Sequence, residues 1–93
     1  MKIYIESVNG GIYITKGVNS VSRYVCDLKE AKKDFSIVLG AMIAIEYLKK
    51  EENIVYCVSA FGLDMSVSRT AFIDYVRDGI TPKVWEDMRG MRD

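Results

Sequence analysis

Few residues in this 93-residue chain can carry chemistry, and their types narrow what the chain can do. There is no histidine, which removes the commonest general base, the triads built on it and most zinc sites. Cys26 and Cys57 lie far apart with no Cys-x-x-Cys pair, so metal ligation or dithiol redox would need ligands the sequence does not show. They read as reduced core thiols. Glu46, Asp64 and Asp74 remain as acid-base candidates, but nothing in their spacing marks a dyad, and solvated faces or helix caps account for them. Gly10-Gly11 follows neither the Gly-x-Gly-x-x-Gly nor the Walker pattern.

Arginine and tyrosine form the more informative set. Guanidinium forks bind phosphate and carboxylate, and tyrosines stack on bases or anchor interfaces. Arg23, Arg69 and Arg77 are therefore candidate anion contacts, and Tyr4 and Tyr13 candidate stacking groups, with Tyr24 and Tyr56 nearby in type. For the tyrosines, packing under loops or a helix end is the simpler alternative.

These side chains need a scaffold, and the composition supplies one. Apolar residues make up 49% of the chain, enough for a single core over residues 1–93 without a metal or disulfide. A domain this short leaves much of its surface in water, which favours burial between identical chains. Thirteen Lys and Arg balance thirteen Asp and Glu, so no overall field draws the protein to nucleic acid or an anionic membrane. The opening Met1-Lys2-Ile3-Tyr4-Ile5-Glu6 lacks a secretory pattern, which implies a cytoplasmic protein. The uncharged run from Phe35 to Ile45, which no other exceeds, falls well short of the roughly 20 residues that cross a bilayer.

The periodicity predicts an α+β fold: an N-terminal antiparallel β-hairpin and small sheet, a buried central helix and two short C-terminal helices. Lys2 to Val8 and Gly11 to Lys16 share an Ile-Tyr-Ile core around Asn9-Gly10, the pair a type I′ hairpin turn needs. Alternation puts the isoleucines on one face and Tyr4 with Tyr13 on the other. Ser20 to Cys26 reads as a third strand. Asp27-Leu28-Lys29-Glu30 has capping-box spacing and Asp34 offers a second helix start, so the central helix begins at one or the other and runs to about Lys50. Its apolar residues fill nearly the whole circumference, which predicts burial on more than one side, and Gly40 with Ala41 suits self-association. Ile54 to Phe61 reads as a strand in the middle of the sheet. After a polar loop, Ser68 caps a helix bearing Ala71, Phe72, Tyr75 and Val76 and ending at Gly79. Thr81-Pro82 starts a last helix with Trp85, Met88 and Met91 on its apolar side.

Two short helices joined by Gly79-Ile80-Thr81 share the outline of a helix-turn-helix, but Tyr75 crowds the turn and Glu86 and Asp87 would face phosphates with the wrong sign. A packed helical hairpin explains them better.

Val25-Cys26, then Asp34-Phe35, Gly40-Ala41 and Ala44 form a segment that resembles small phage and prophage proteins of Gram-positive hosts. There a strand ending in Cys leads through an acidic loop to an Asp-Phe helix with a Gly-Ala step. The likeness runs from Val25 to Leu48, about a quarter of the chain, and departs from the pattern at Leu28 to Lys33, where a shorter acidic loop is expected. The resemblance carries no catalytic residue. It implies an accessory protein of a mobile element, similar to anti-CRISPR inhibitors or Thoeris anti-defense sponges that sequester nucleotide signals.

The expectation is a non-enzymatic binding protein, homo-oligomeric and without cofactor or metal. It would occupy a host protein or hold a small anionic nucleotide-type ligand between subunits, in the host cytoplasm if phage-encoded. A nucleic-acid-binding regulator using the C-terminal helix pair, with Lys83 and Arg89 as contacts, is the alternative. A small carboxylate- or thiol-dependent enzyme ranks last.

Overall fold

The computed structural model describes residues 2–17, 21–50, 53–60 and 63–81. Within them the chain forms β1 (Lys2–Val8), β2 (Gly11–Lys16), β3 (Arg23–Asp27), α1 (Leu28–Lys33), α2 (Ser36–Leu48), β4 (Asn53–Ala60), β5 (Leu63–Val67) and α3 (Arg69–Asp78). The strands make one mixed sheet in the order β3-β2-β1-β4-β5, an α+β fold.

The hairpin forms as its turn chemistry dictates. Asn9 and Gly10 both take positive φ, 51° and 76°, and the strands pair from Val8↔Gly11 to Ile3↔Lys16. Ile5 lies opposite Ile14 and Ser7 opposite Ile12, which sets the isoleucines on one face; Tyr4 and Tyr13 share the other, opposite Thr15 and Glu6. Beyond β2, the third strand begins at Arg23; residues 18–20 lie outside the described set.

Helices begin after both candidate starts, although the capping box expected at Asp27 does not form, its side chain making no cap hydrogen bond. Asp27 precedes α1, which ends after six residues, and Asp34 accepts hydrogen bonds from the Ser36 backbone N–H at 3.2 Å and from its hydroxyl at 2.5 Å at the start of α2. The chain then returns along the hairpin: β4 pairs parallel with β1, from Lys2↔Asn53 to Ser7↔Val58. β4 is an interior strand, as its apolar run suggests, although β1 holds the centre of the sheet. Phe61 and Gly62 lie outside the described residues. The expected polar loop is in part a strand: β5 pairs antiparallel with β4, and its Met65 and Val67 pack on the core while Ser66 is exposed. At the edge of a sheet such half-polar alternation suffices.

Ser68 caps α3, its hydroxyl accepting from Ala71 N–H at 3.1 Å, and Gly79 closes the helix in the left-handed region at φ 74°. Phe72 and Val76 are fully buried. The last helix, expected from Pro82 through Trp85, Met88 and Met91, lies outside the described residues, as do Lys83, Glu86, Asp87 and Arg89.

One face of the sheet carries the core. Ile3, Ile5, Ile12, Cys26, Tyr56 and Val58 from the strands close over Ala31, Val38, Met42, Phe72 and Val76 from the three helices. Each large aliphatic or aromatic side chain there contributes roughly 1.5–3 kcal/mol.

The central helix departs from expectation. It is not buried on several sides: within one chain only Val38 and Met42 are fully covered, with Ile45 packed at the margin. Ile37, Ile43, Tyr47 and Leu48 are exposed, Tyr47 by 78% and Leu48 by 70%. Side chains repeat about every 3.6 residues, so Ile37, Gly40, Ala44 and Tyr47 line one outward stripe. Gly40 sits mid-helix, where glycine costs about 1 kcal/mol relative to alanine. Among the described residues a Cβ there would meet nothing within 4 Å, so no contact among them requires the glycine.

Candidate functional site

The five residues singled out from the sequence do not converge. Arg69, at the start of α3, holds Glu46 of α2 with its fork: Nε donates to Oε2 at 2.7 Å and Nη2 to Oε1 at 3.1 Å. The buried Tyr56 of β4 donates its hydroxyl to the same carboxylate, tying α2, α3 and β4 together. The Arg69 hydrogen bond holds the Glu46 carboxyl below its ordinary value, against the opposing effect of desolvation. Burial, then the Glu46 bond, pushes the Tyr56 phenol far up. Glu46 and Arg69 are therefore each other's partners. Arg77, at the other end of α3, is paired with Asp78 at 2.9 Å and Asp74 at 3.6 Å. Eight residues of helix, roughly 12 Å, separate the two arginines.

The tyrosines stand on the other side of the sheet. Tyr13 packs edge-on against Tyr24 of β3, ring centroids 5.7 Å apart, and lies over Gly11, where a Cβ would come within 2.9 Å of its ring. Tyr24 donates to Asp27 at 2.5 Å, a bond that pushes its phenol up to about 12. Tyr4, opposite Thr15 and Val55, shares the face but not the pair.

Arg23 alone keeps a setting suited to an anion. It lines a cleft of about 160 Å³ with Lys16 of β2 and Lys49 just past α2, over an apolar floor of Ile3, Ile14 and Ile45, with the exposed Val21 at the rim. Pairing builds this wall: Ile14↔Arg23 and Ile3↔Lys16 put both cations on the isoleucine face, beside the end of α2. Among the described residues no carboxylate pairs with Lys16, Arg23 or Lys49. Lys16 and Lys49 were not among the residues chosen from the sequence. The alternation Ile12, Ile14, Lys16 was the signal for the first, while Lys49 carried only the mark of a helix end.

A second recess opens on the tyrosine face, lined by Glu6, Cys57, Ser59 and Asp64 among others. Burial, then the charge of Asp64, raises the Glu6 carboxyl; burial, then Glu6 and Asp64, raises the Cys57 thiol. Ser59 donates to Asp64. A thiol between two acids is a poor nucleophile at neutral pH. Cys26 is a buried free thiol. Among the described residues, no cluster of three or more Cys, Asp or Glu could hold a metal ion, and no helix is long and apolar enough to cross a membrane.

Compared with protein-family models, curated proteins and solved structures, the chain matches none.

Proposed function

We propose that this is a non-enzymatic binding protein that captures a small anionic ligand in the cleft between Lys16, Arg23 and Lys49. The observation that carries the reading is the cleft itself: three cations from β2, β3 and the end of α2 around an apolar floor, without a paired carboxylate among the described residues. An anion at this end of the sheet would meet basic side chains from three elements while the isoleucines take an apolar body. A volume of about 160 Å³ is small beside the roughly 300–1,000 Å³ of sites that enclose a whole ligand. The cleft suits the phosphate-bearing end of a nucleotide, with the rest left outside. Arg23 supplies the fork; Lys16 and Lys49 add point charges.

The resemblance to small phage proteins supports a role in which the captured anion is a nucleotide-type defense signal, held in the host cytoplasm. Tyr4 and Tyr13, on the opposite sheet face, have no part in this cleft; Arg69 and Arg77 are occupied by carboxylates.

Calorimetry at low salt with cyclic ADP-ribose isomers, cyclic oligonucleotides, mononucleotides and inorganic phosphate tests the reading. Binding of a nucleotide weakened at least tenfold by Arg23→Ala, and unaffected by Arg77→Ala, is the expected result. No heat across the panel, or heat indifferent to Arg23, overturns it.

A further inference from the structure

We infer that the exposed face of α2 is a contact between two copies of this chain, with the two helices antiparallel and crossing at Gly40 and Ala44. Three observations lead there. The outward arc of α2, through Ile37, Gly40, Ile43, Ala44, Tyr47 and Leu48, carries no charge along the whole 13-residue helix. The helix's one charged residue, Glu46, is turned away into the bonds with Arg69 and Tyr56. Surface helices of monomers usually show the reverse, a polar outer face.

Gly40 is the second observation. Among the described residues it has open space where a Cβ would stand, so nothing in them explains its presence in mid-helix. Close approach of another helix does. Ala44 lies one turn on, completing a small-x-x-x-small pair that lets backbones approach within side-chain distance.

Area is the third. The exposed parts of Ile37, Ile43, Tyr47 and Leu48 amount to roughly 500 Å² per chain, so a symmetric pair that covers them fully buries up to about 1,000 Å² through these residues, the lower bound for a specific interface. A two-fold contact uses the same patch on both chains, as a single self-complementary stripe requires. Antiparallel packing sets Gly40 of one helix against Ala44 of the other and opposes their dipoles; parallel packing would align the dipoles and set Tyr47 on Tyr47. Residues 82–93 are a poorer fit to the stripe, since they offer Trp85, Met88 and Met91 where close approach calls for small side chains.

The dimer and the anion cleft are separable. Lys49 lies nine residues from Gly40, about half a turn round the helix, so the cleft opens on the side of α2 away from the contact, and each chain carries its own.

Sedimentation of the full chain from micromolar to millimolar concentration should give twice the chain mass. Ala44→Glu, at an exposed position, should give the mass of one chain with unchanged circular dichroism, and should leave any anion binding intact. Tyr47→Lys should do the same. Under oxidation, a mixture of Gly40→Cys and Ala44→Cys chains should form disulfide dimers at least tenfold faster than either variant alone. A single-chain mass across the range, whether the face is covered by residues 82–93 or by something else, overturns the inference. So does a dimer that survives both charged substitutions, or one in which Gly40→Cys alone crosslinks best.

Discussion

Replacing Glu46 by glutamine keeps an acceptor for the Tyr56 hydroxyl but removes the charge that holds Arg69. Hydrogen bonds to charged groups contribute about 1.5–3 kcal/mol. The Arg69 side chain is 46% exposed and Glu46 28%, so solvent screening draws the figure toward that of surface pairs, and about 1 kcal/mol is the expected loss. With a urea dependence of about 2 kcal/mol per molar, the unfolding midpoint of Glu46→Gln should fall by roughly 0.5 M at neutral pH. The pH dependence has a definite sign. Arg69 holds the folded-state pKa of Glu46 below its ordinary 4.5, so the stabilisation is fully present above that value and is lost as pH falls through the lowered folded pKa. Parent and variant midpoints should therefore converge in acid. Tyr56→Phe removes a smaller contribution to the same shift; it should cost about 1 kcal/mol and leave most of the acid dependence in place. Urea titrations of the three proteins at one fixed chain concentration, followed by circular dichroism over a series of pH values, make the comparison independent of association. Coincident midpoints at neutral pH, or a gap that persists unchanged below the glutamate range, would refute the assignment of Glu46, Tyr56 and Arg69 as one network.

Two further substitutions test local devices. Ser68→Ala removes the cap of α3 and should cost about 1 kcal/mol, seen as a lower urea midpoint and faster amide exchange in the first turn, at Ala71 above all. Gly10→Ala must hold a Cβ at φ 76° and should cost about 1–2 kcal/mol, while Asn9→Gly, which the turn tolerates, should stay close to the parent by the same titration.

The hairpin and α3 were legible because their signals are local. Asn9-Gly10 specifies its own turn, and Ser68 and Gly79 specify where α3 begins and ends, without reference to the rest of the chain. Features set by distant pairing were not. The parallel return of β4 along β1 leaves no mark on either strand alone, and β5 read as loop because an edge strand needs only Met65 and Val67 on its covered side. The choice between Asp27 and Asp34 had no answer because a helix begins after each. Among the candidate site residues, charge type was readable and partner was not: Arg69 and Glu46 stand twenty-three positions apart and meet only because the fold brings the last turn of α2 within side-chain reach of the start of α3. Arg23 and Lys16 became neighbours through the register of β2 against its two partners.

The α2 sequence is apolar nearly all round, yet one chain covers only part of it. Val38 and Met42 bury a single stripe, which is all that a five-stranded sheet with helices on one face can do for a helix at its flank. The remaining apolar arc, the inward turn of Glu46 and the unfilled space beside Gly40 have a common explanation if the folded unit is a pair of chains. A short chain then gains, through a second copy, the burial its own length cannot supply. The side of α2 that carries Ile45 and Lys49 stays open to an anion in each copy. Charge on the Ala44 side should therefore break the pair and leave the cleft working, and loss of Arg23 should empty the cleft and leave the pair intact.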